Sequence, residues 1–286
     1  MSDAKADSRA ATDWSNVPTR LGSALVIVSV VGVCLWFGGW VWAVAIAVLG
    51  ARATFEWLRM SHEPEDASSF SFAVSGLCLA AFLLIFTLDG YEWPLISSLL
   101  VVLFLVFTGV GKKDGERETH VWSLVGIAYI VLPLAAMIAL RGKGVGLSSE
   151  GFQLAAFIIL VVIAADAGAY FTGKAIGGPK LIPRLSPNKT WVGFAGGLVL
   201  GGLVGGGLSN VWGGEFVTGV PIALAVVVAA VAGDFLESGF KRHFGVKDTG
   251  TILPGHGGVL DRVDSHMAAF AVAAVVLWIA PGLSPV

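Results

Sequence analysis

Nine stretches of this chain are apolar for long enough to cross a bilayer, and that patterning restricts the fold more than any other feature. A membrane-spanning helix needs about 20 mostly apolar residues at 1.5 Å rise each. The runs fall near 22–37, 39–58, 70–88, 93–110, 121–140, 152–170, 191–209, 219–236 and 267–281. Side chains are 56% apolar and 13% charged, whereas an ordinary soluble domain is about 25% charged. Disorder is excluded, because it requires low hydrophobicity and high charge. A net charge of −2 provides no basic field for nucleic acid, so none is expected as a partner. Cys34 and Cys78 both lie inside apolar runs, which argues against a disulfide framework.

The basic residues orient the bundle. All but Arg141 and Lys143 of the 18 Lys and Arg fall in the N-terminal tail or on the loops and helix ends after the second, fourth, sixth and eighth runs. That bias predicts a cytoplasmic N-terminus. The expected architecture is all-α: a polytopic bundle of about nine transmembrane helices. Residues 1–21 form a polar cytoplasmic tail, and 22–286 form a single membrane-embedded domain. Within it, 22–140 supply the N-terminal helices and 150–286 the helices and cytoplasmic loops expected to carry the function.

Polar groups gather in the two longest loops and the helix ends beside them. Asp166 interrupts the apolar run IILVVIAADAGAY, and a carboxylate there is costly unless it faces the bundle interior or a wet cavity. Asp234 and Glu237 are spaced i, i+3, as are Asp261 and Asp264, so each pair shares a helix face. Four carboxylates at one depth suit a hard cation such as Mg²⁺, with room for a second cation. Lys241, Arg242 and Lys247 can hold phosphate oxygens. Gly257 and Gly258, beside His256, allow backbone N–H groups to approach an anion. In the other loop, Lys174 precedes Ser186-Pro187-Asn188-Lys189-Thr190, which leads into a helix. Ser186 or Asn188 is expected to cap that helix, with Lys189 and Thr190 adding donors. Gly193, Gly197, Gly201 and Gly205 recur every four residues inside an apolar run and are read as a helix-packing stripe.

Residues 238–264 (SGFKRHFGVKDTGTILPGHGGVLDRVD) resemble the signature of the phosphatidate cytidylyltransferases, or CDP-diacylglycerol synthases. Ser238, Lys241, Arg242, Lys247, Asp248, Pro254, His256, Gly257, Gly258, Asp261, Arg262 and Asp264 all fall on its fixed positions. DAGAYFTGK (166–174) and SPNKT (186–190) are similar to two further family segments. One position departs: Val192 stands where the family commonly has Glu.

The resemblance implies that CTP and phosphatidate are converted to CDP-diacylglycerol and pyrophosphate in phospholipid synthesis at a bacterial inner membrane, with Mg²⁺ dependence and a homodimer. The lipid phosphate would attack the α-phosphorus of CTP without a protein nucleophile. Asp234 and Asp261 are the expected metal ligands, with Asp264 and Glu237 ligating directly or through water. Lys241, Arg242, Lys247 and Arg262 would hold phosphates. Lys174 and Lys189 would hold the lipid phosphate or the nucleotide, and Asp166 would orient Lys174 or a metal-bound water. His256 would either donate to pyrophosphate or orient the glycine turn. The rivals are a related enzyme acting on polyprenols and a transporter. The transporter fits poorly, because the first four helices carry almost no charge away from their ends.

Overall fold

Seven of the nine apolar runs coincide with helices in the computed structural model, which describes residues 17–61, 114–250 and 257–286. The runs at 70–88 and 93–110, with Cys78 and His256, lie outside the described residues. The helices are α1 (Val17–Phe37), α2 (Gly39–Ser61), α3 (Asp114–Arg141), α4 (Glu150–Ile176), α5 (Trp191–Val211), α6 (Phe216–His243) and α7 (Leu260–Ile279). A short antiparallel hairpin, β1 (Lys180–Ile182) and β2 (Ser186–Thr190), joins α4 to α5. Five of these helices, α2 and α4 to α7, are long and apolar enough to span a membrane; α1 and α3 hold shorter apolar stretches. The chain is thus a helical membrane protein, with five such spans among the described residues.

The chain divides into Met1–Val33 and Cys34–Val286. In the first, the described α1 residues Leu25, Val26 and Val28 are exposed and apolar, as suits a lipid-facing helix. The second unit holds the core, built around Trp57, Phe157, Ile222 and Phe270. Lipid is as apolar as leucine, so helices associate through close packing rather than water exclusion. The glycine stripe does this. A Cβ at Gly193 or Gly197 would come within 3.0 or 2.9 Å of the backbone oxygen of Ala169 or Ala165 on α4, and one at Gly201 within 2.5 Å of Val227 on α6. Glycine therefore lets α5 wedge between α4 and α6. At the other end of the bundle, Arg141 is fully buried. It donates to the carbonyls of Leu35 (2.7 Å), Gly144 (2.8 Å) and Trp36 (3.2 Å), tying together the α1–α2 and α3–α4 connections.

The helices outrun the apolar runs, and this revises several expectations. Lys174 lies on α4, and Lys241 and Arg242 on α6, rather than in loops. Asp261 and Asp264 lie inside the first turns of α7, not ahead of it. The segment 186–190 is a strand. Neither Ser186 nor Asn188 caps α5; the extended Thr190 does, its hydroxyl accepting from Gly193 N–H at 3.0 Å. Strand pairing fixes Ser186 opposite Ile182, well before the helix begins.

Candidate active site

Helical periodicity places Asp234, Glu237, Ser238 and Lys241 along one face of α6. That face meets the start of α7 at very short range, since a Cβ on Gly233 would lie 2.9 Å from the Asp264 carbonyl. The contact brings Asp234, Glu237 and Asp264 together: one carboxylate oxygen from each lies within 4.8 Å of the others. Glu237 and Asp264 are buried. Lys241 donates to Glu237 Oε2 at 2.6 Å and to Asp261 Oδ1 at 2.9 Å. Ser238 donates to Asp234 Oδ1 at 3.3 Å.

The α4–α5 hairpin reaches the same cluster. Lys189 on β2 is ion-paired with Asp234, and its ammonium also lies 5.1 Å from the centre of the Phe235 ring. Two distant stretches of sequence therefore meet through one pair of side chains. Lys189 also lines a cavity of about 620 Å³. Asp166, Tyr170, Lys174, Asn188 and Thr190 supply its polar wall; Phe194, Val227, Ala230 and Val231 supply an apolar one. Lys174 donates to the Tyr170 hydroxyl at 3.2 Å. Of the two roles expected for Asp166, orienting Lys174 gives way to a tyrosine partner, while Asp166 lines the same cavity.

Asp261, expected with Asp234 as a metal ligand, stands outside the group of Asp234, Glu237 and Asp264 and has both oxygens engaged. Beyond Lys241 on Oδ1, its Oδ2 accepts from Gly258 N–H (2.8 Å) and Thr249 N–H (3.0 Å). The Gly258 N–H, expected to face a substrate anion, is therefore taken by a carboxylate of the chain itself. Gly257 has φ +80°, and a Cβ there would sit 2.9 Å from Asp261 Oδ2, so this turn needs glycine. Arg242, Lys247 and Arg262 are exposed and Ser186 is half-buried.

The donor set fits a divalent cation. With all four ionised, as ligands to a cation would be, Asp234, Glu237, Asp261 and Asp264 carry two more negative charges than Lys189 and Lys241 balance. Glu237 Oε1 and the Tyr129 hydroxyl are buried without a hydrogen-bond partner among the described residues. Buried polar atoms seldom lack one, and an all-oxygen group suits Mg²⁺ better than zinc.

The sequence pattern of the Cytidylyltransferase family matches residues 18–280. The chain belongs to that family. It is 37% identical over 263 residues to the phosphatidate cytidylyltransferase of Brucella suis biovar 1 (strain 1330), covering 90% of this chain and 92% of the relative. The Staphylococcus aureus (strain COL) phosphatidate cytidylyltransferase is 36% identical over 219 residues, covering 72% and 80%. Two residues near the cluster escaped sequence reasoning. Tyr129 packs on Trp57 and Phe240, and no local pattern marks it. Glu56 is 1% exposed on α2; a carboxylate one residue before Trp57 in an apolar helix was the available signal.

Proposed function

We propose that this chain is a phosphatidate cytidylyltransferase, making CDP-diacylglycerol and pyrophosphate from CTP and phosphatidate. The Lys189–Asp234 ion pair carries the reading. It joins a cavity with one polar and one apolar wall to a carboxylate cluster suited to a cation. A lipid headgroup needs the first, and a nucleoside triphosphate the second.

In the reaction, a phosphatidate oxygen attacks the α-phosphorus of CTP. The bond from that phosphorus to the bridging oxygen breaks, and pyrophosphate leaves with the electron pair. The lipid phosphate is already anionic at neutral pH, with a second pKa near 6, so no protein base is needed. The chain's task is to hold two anions in line. Lys174 and Lys189, with Asn188 and Thr190, hold the lipid phosphate against the polar wall. The apolar wall of Phe194, Val227 and Val231 accepts the first carbons of the acyl chains. Arg242, Lys247 and Arg262 gather the triphosphate, and His256 hydrogen-bonds to the departing pyrophosphate. Asp234, Glu237 and Asp264 would hold Mg²⁺, which when bound offsets charge on the triphosphate. Lys241 keeps Glu237 and Asp261 in register with each other.

The bias of Lys and Arg supports a cytoplasmic site in a bacterial inner membrane, where CTP is available, and the protein acts as a homodimer. The test is purified protein in detergent with phosphatidate, Mg²⁺ and CTP labelled at the α- or γ-phosphate. The α-label should enter lipid while the γ-label leaves as pyrophosphate. Entry of the γ-label into lipid would instead mark a kinase, and the proposal would fail.

A further inference from the structure

Helix α7 starts without a cap of its own. Val259, the residue before it, makes no side-chain capping bond, although the first N–H groups of a helix need acceptors. The acceptor comes from α2, some 200 positions earlier in the chain. Glu56 Oε2 accepts from Leu260 N–H at 2.8 Å, and Oε1 from Val259 N–H at 3.1 Å. Oε2 also accepts from the Thr249 hydroxyl at 3.4 Å. Arg52, one turn earlier on α2, is ion-paired with Oε1 at 3.1 Å. Two glycines make room for this carboxylate: a Cβ at Gly250 or Gly258 would lie 2.7 or 2.6 Å from its oxygens. A buried anion at a helix N-terminus is also favoured by the helix dipole.

We propose that Glu56 is a positioning residue for this reaction. By gripping the amides of Val259 and Leu260 together with Thr249, it sets the rotation and depth of the first turn of α7, and so the placement of Asp261 and Asp264 opposite Glu237. Glu56 touches neither substrate nor the reacting atoms. The idea rests on the proposed cytidylyl transfer for its consequence, but its geometry can be tested without it.

The full-length protein is purified in detergent as wild type, Glu56→Gln and Glu56→Ala. Glu56→Gln keeps the shape and one accepting oxygen, so it carries the test should Glu56→Ala not fold. Amide hydrogen exchange without substrates is read for residues 258–264. Protection there should fall about tenfold in Glu56→Gln, as the loss of a charge-assisted bond implies. Unchanged protection overturns the proposal. In CDP-diacylglycerol synthesis, kcat should fall about tenfold to a hundredfold, as expected for misplaced groups. KM for phosphatidate should hold, and the Mg²⁺ needed for half-maximal rate should rise. Lost protection with unchanged kcat and Mg²⁺ requirement would also overturn it. A wild-type protein that makes no liponucleotide overturns the functional reading instead, leaving exchange to decide the contact.

Discussion

Replacing Lys241 with methionine removes the ammonium between Glu237 and Asp261 while keeping most of the stem's packing. Lys241 is 15% exposed, and the two carboxylates 2% and 8%, so solvent screens these pairs little. At an effective dielectric of 20, each contact at 2.6–2.9 Å is worth about 6 kcal/mol before desolvation. Desolvation offsets much of that, and breaking one partner out of a buried pair costs about 3–5 kcal/mol. At about 2 °C per kcal/mol for a chain of this size, the Tm in chelator should drop by about 6–10 °C. Tryptophan fluorescence is a suitable probe, because Trp57 and Trp122 both pack on Phe240, next to Lys241. Combining Lys241→Met with Glu237→Gln removes one of the stranded charges and should recover about half the loss. Added Mg²⁺ should raise the Tm of Lys241→Met more than that of wild type, because the variant's cluster carries one more uncompensated charge. A drop under about 2 °C, with no recovery in the double variant, would mean that the ammonium is not the balancing charge of this cluster.

Three further outcomes follow from the geometry. Lys189→Gln should lower kcat/KM for phosphatidate at least tenfold more than Lys180→Gln, since only Lys189 lines the cavity and pairs with Asp234; equal losses would reduce the hairpin to bulk charge. Asp264→Asn should raise the Mg²⁺ concentration for half-maximal activity by about tenfold or more, and a titration superimposable on wild type removes Asp264 from the cation site. Arg141→Leu strands three carbonyls and should cost about 3 kcal/mol, visible as a lower Tm with kcat per folded molecule unchanged.

What could be read from sequence follows how far each contact reaches along the chain. Asp234, Glu237 and Lys241 share a face because they lie on one helix, and 3.6-residue periodicity gives that with no tertiary information. The glycine stripe was legible for the same reason, and its close approach to Ala165 and Ala169 is what small residues permit. Helix ends were less legible. An apolar run marks where a helix meets lipid, not where its hydrogen bonding stops, so α6 carries Lys241 and Arg242 onward and α7 begins seven residues before its apolar run. The cap of α5 was misplaced because Ser-Pro-Asn suits a turn in isolation, whereas pairing with Lys180–Ile182 draws it into a strand and leaves Thr190 at the helix start. Glu56 was legible as a carboxylate in an apolar helix but not in its role, since nothing near it in sequence shows that α7 lacks a cap of its own. Its dependence on Gly250 and Gly258 reassigns part of the glycine-rich signature. Glycines there make room for a carboxylate from α2, and Gly258 also gives its N–H to Asp261. A bulkier residue at position 258 should therefore disturb the same first turn of α7 as loss of Glu56, without altering any group that holds phosphate.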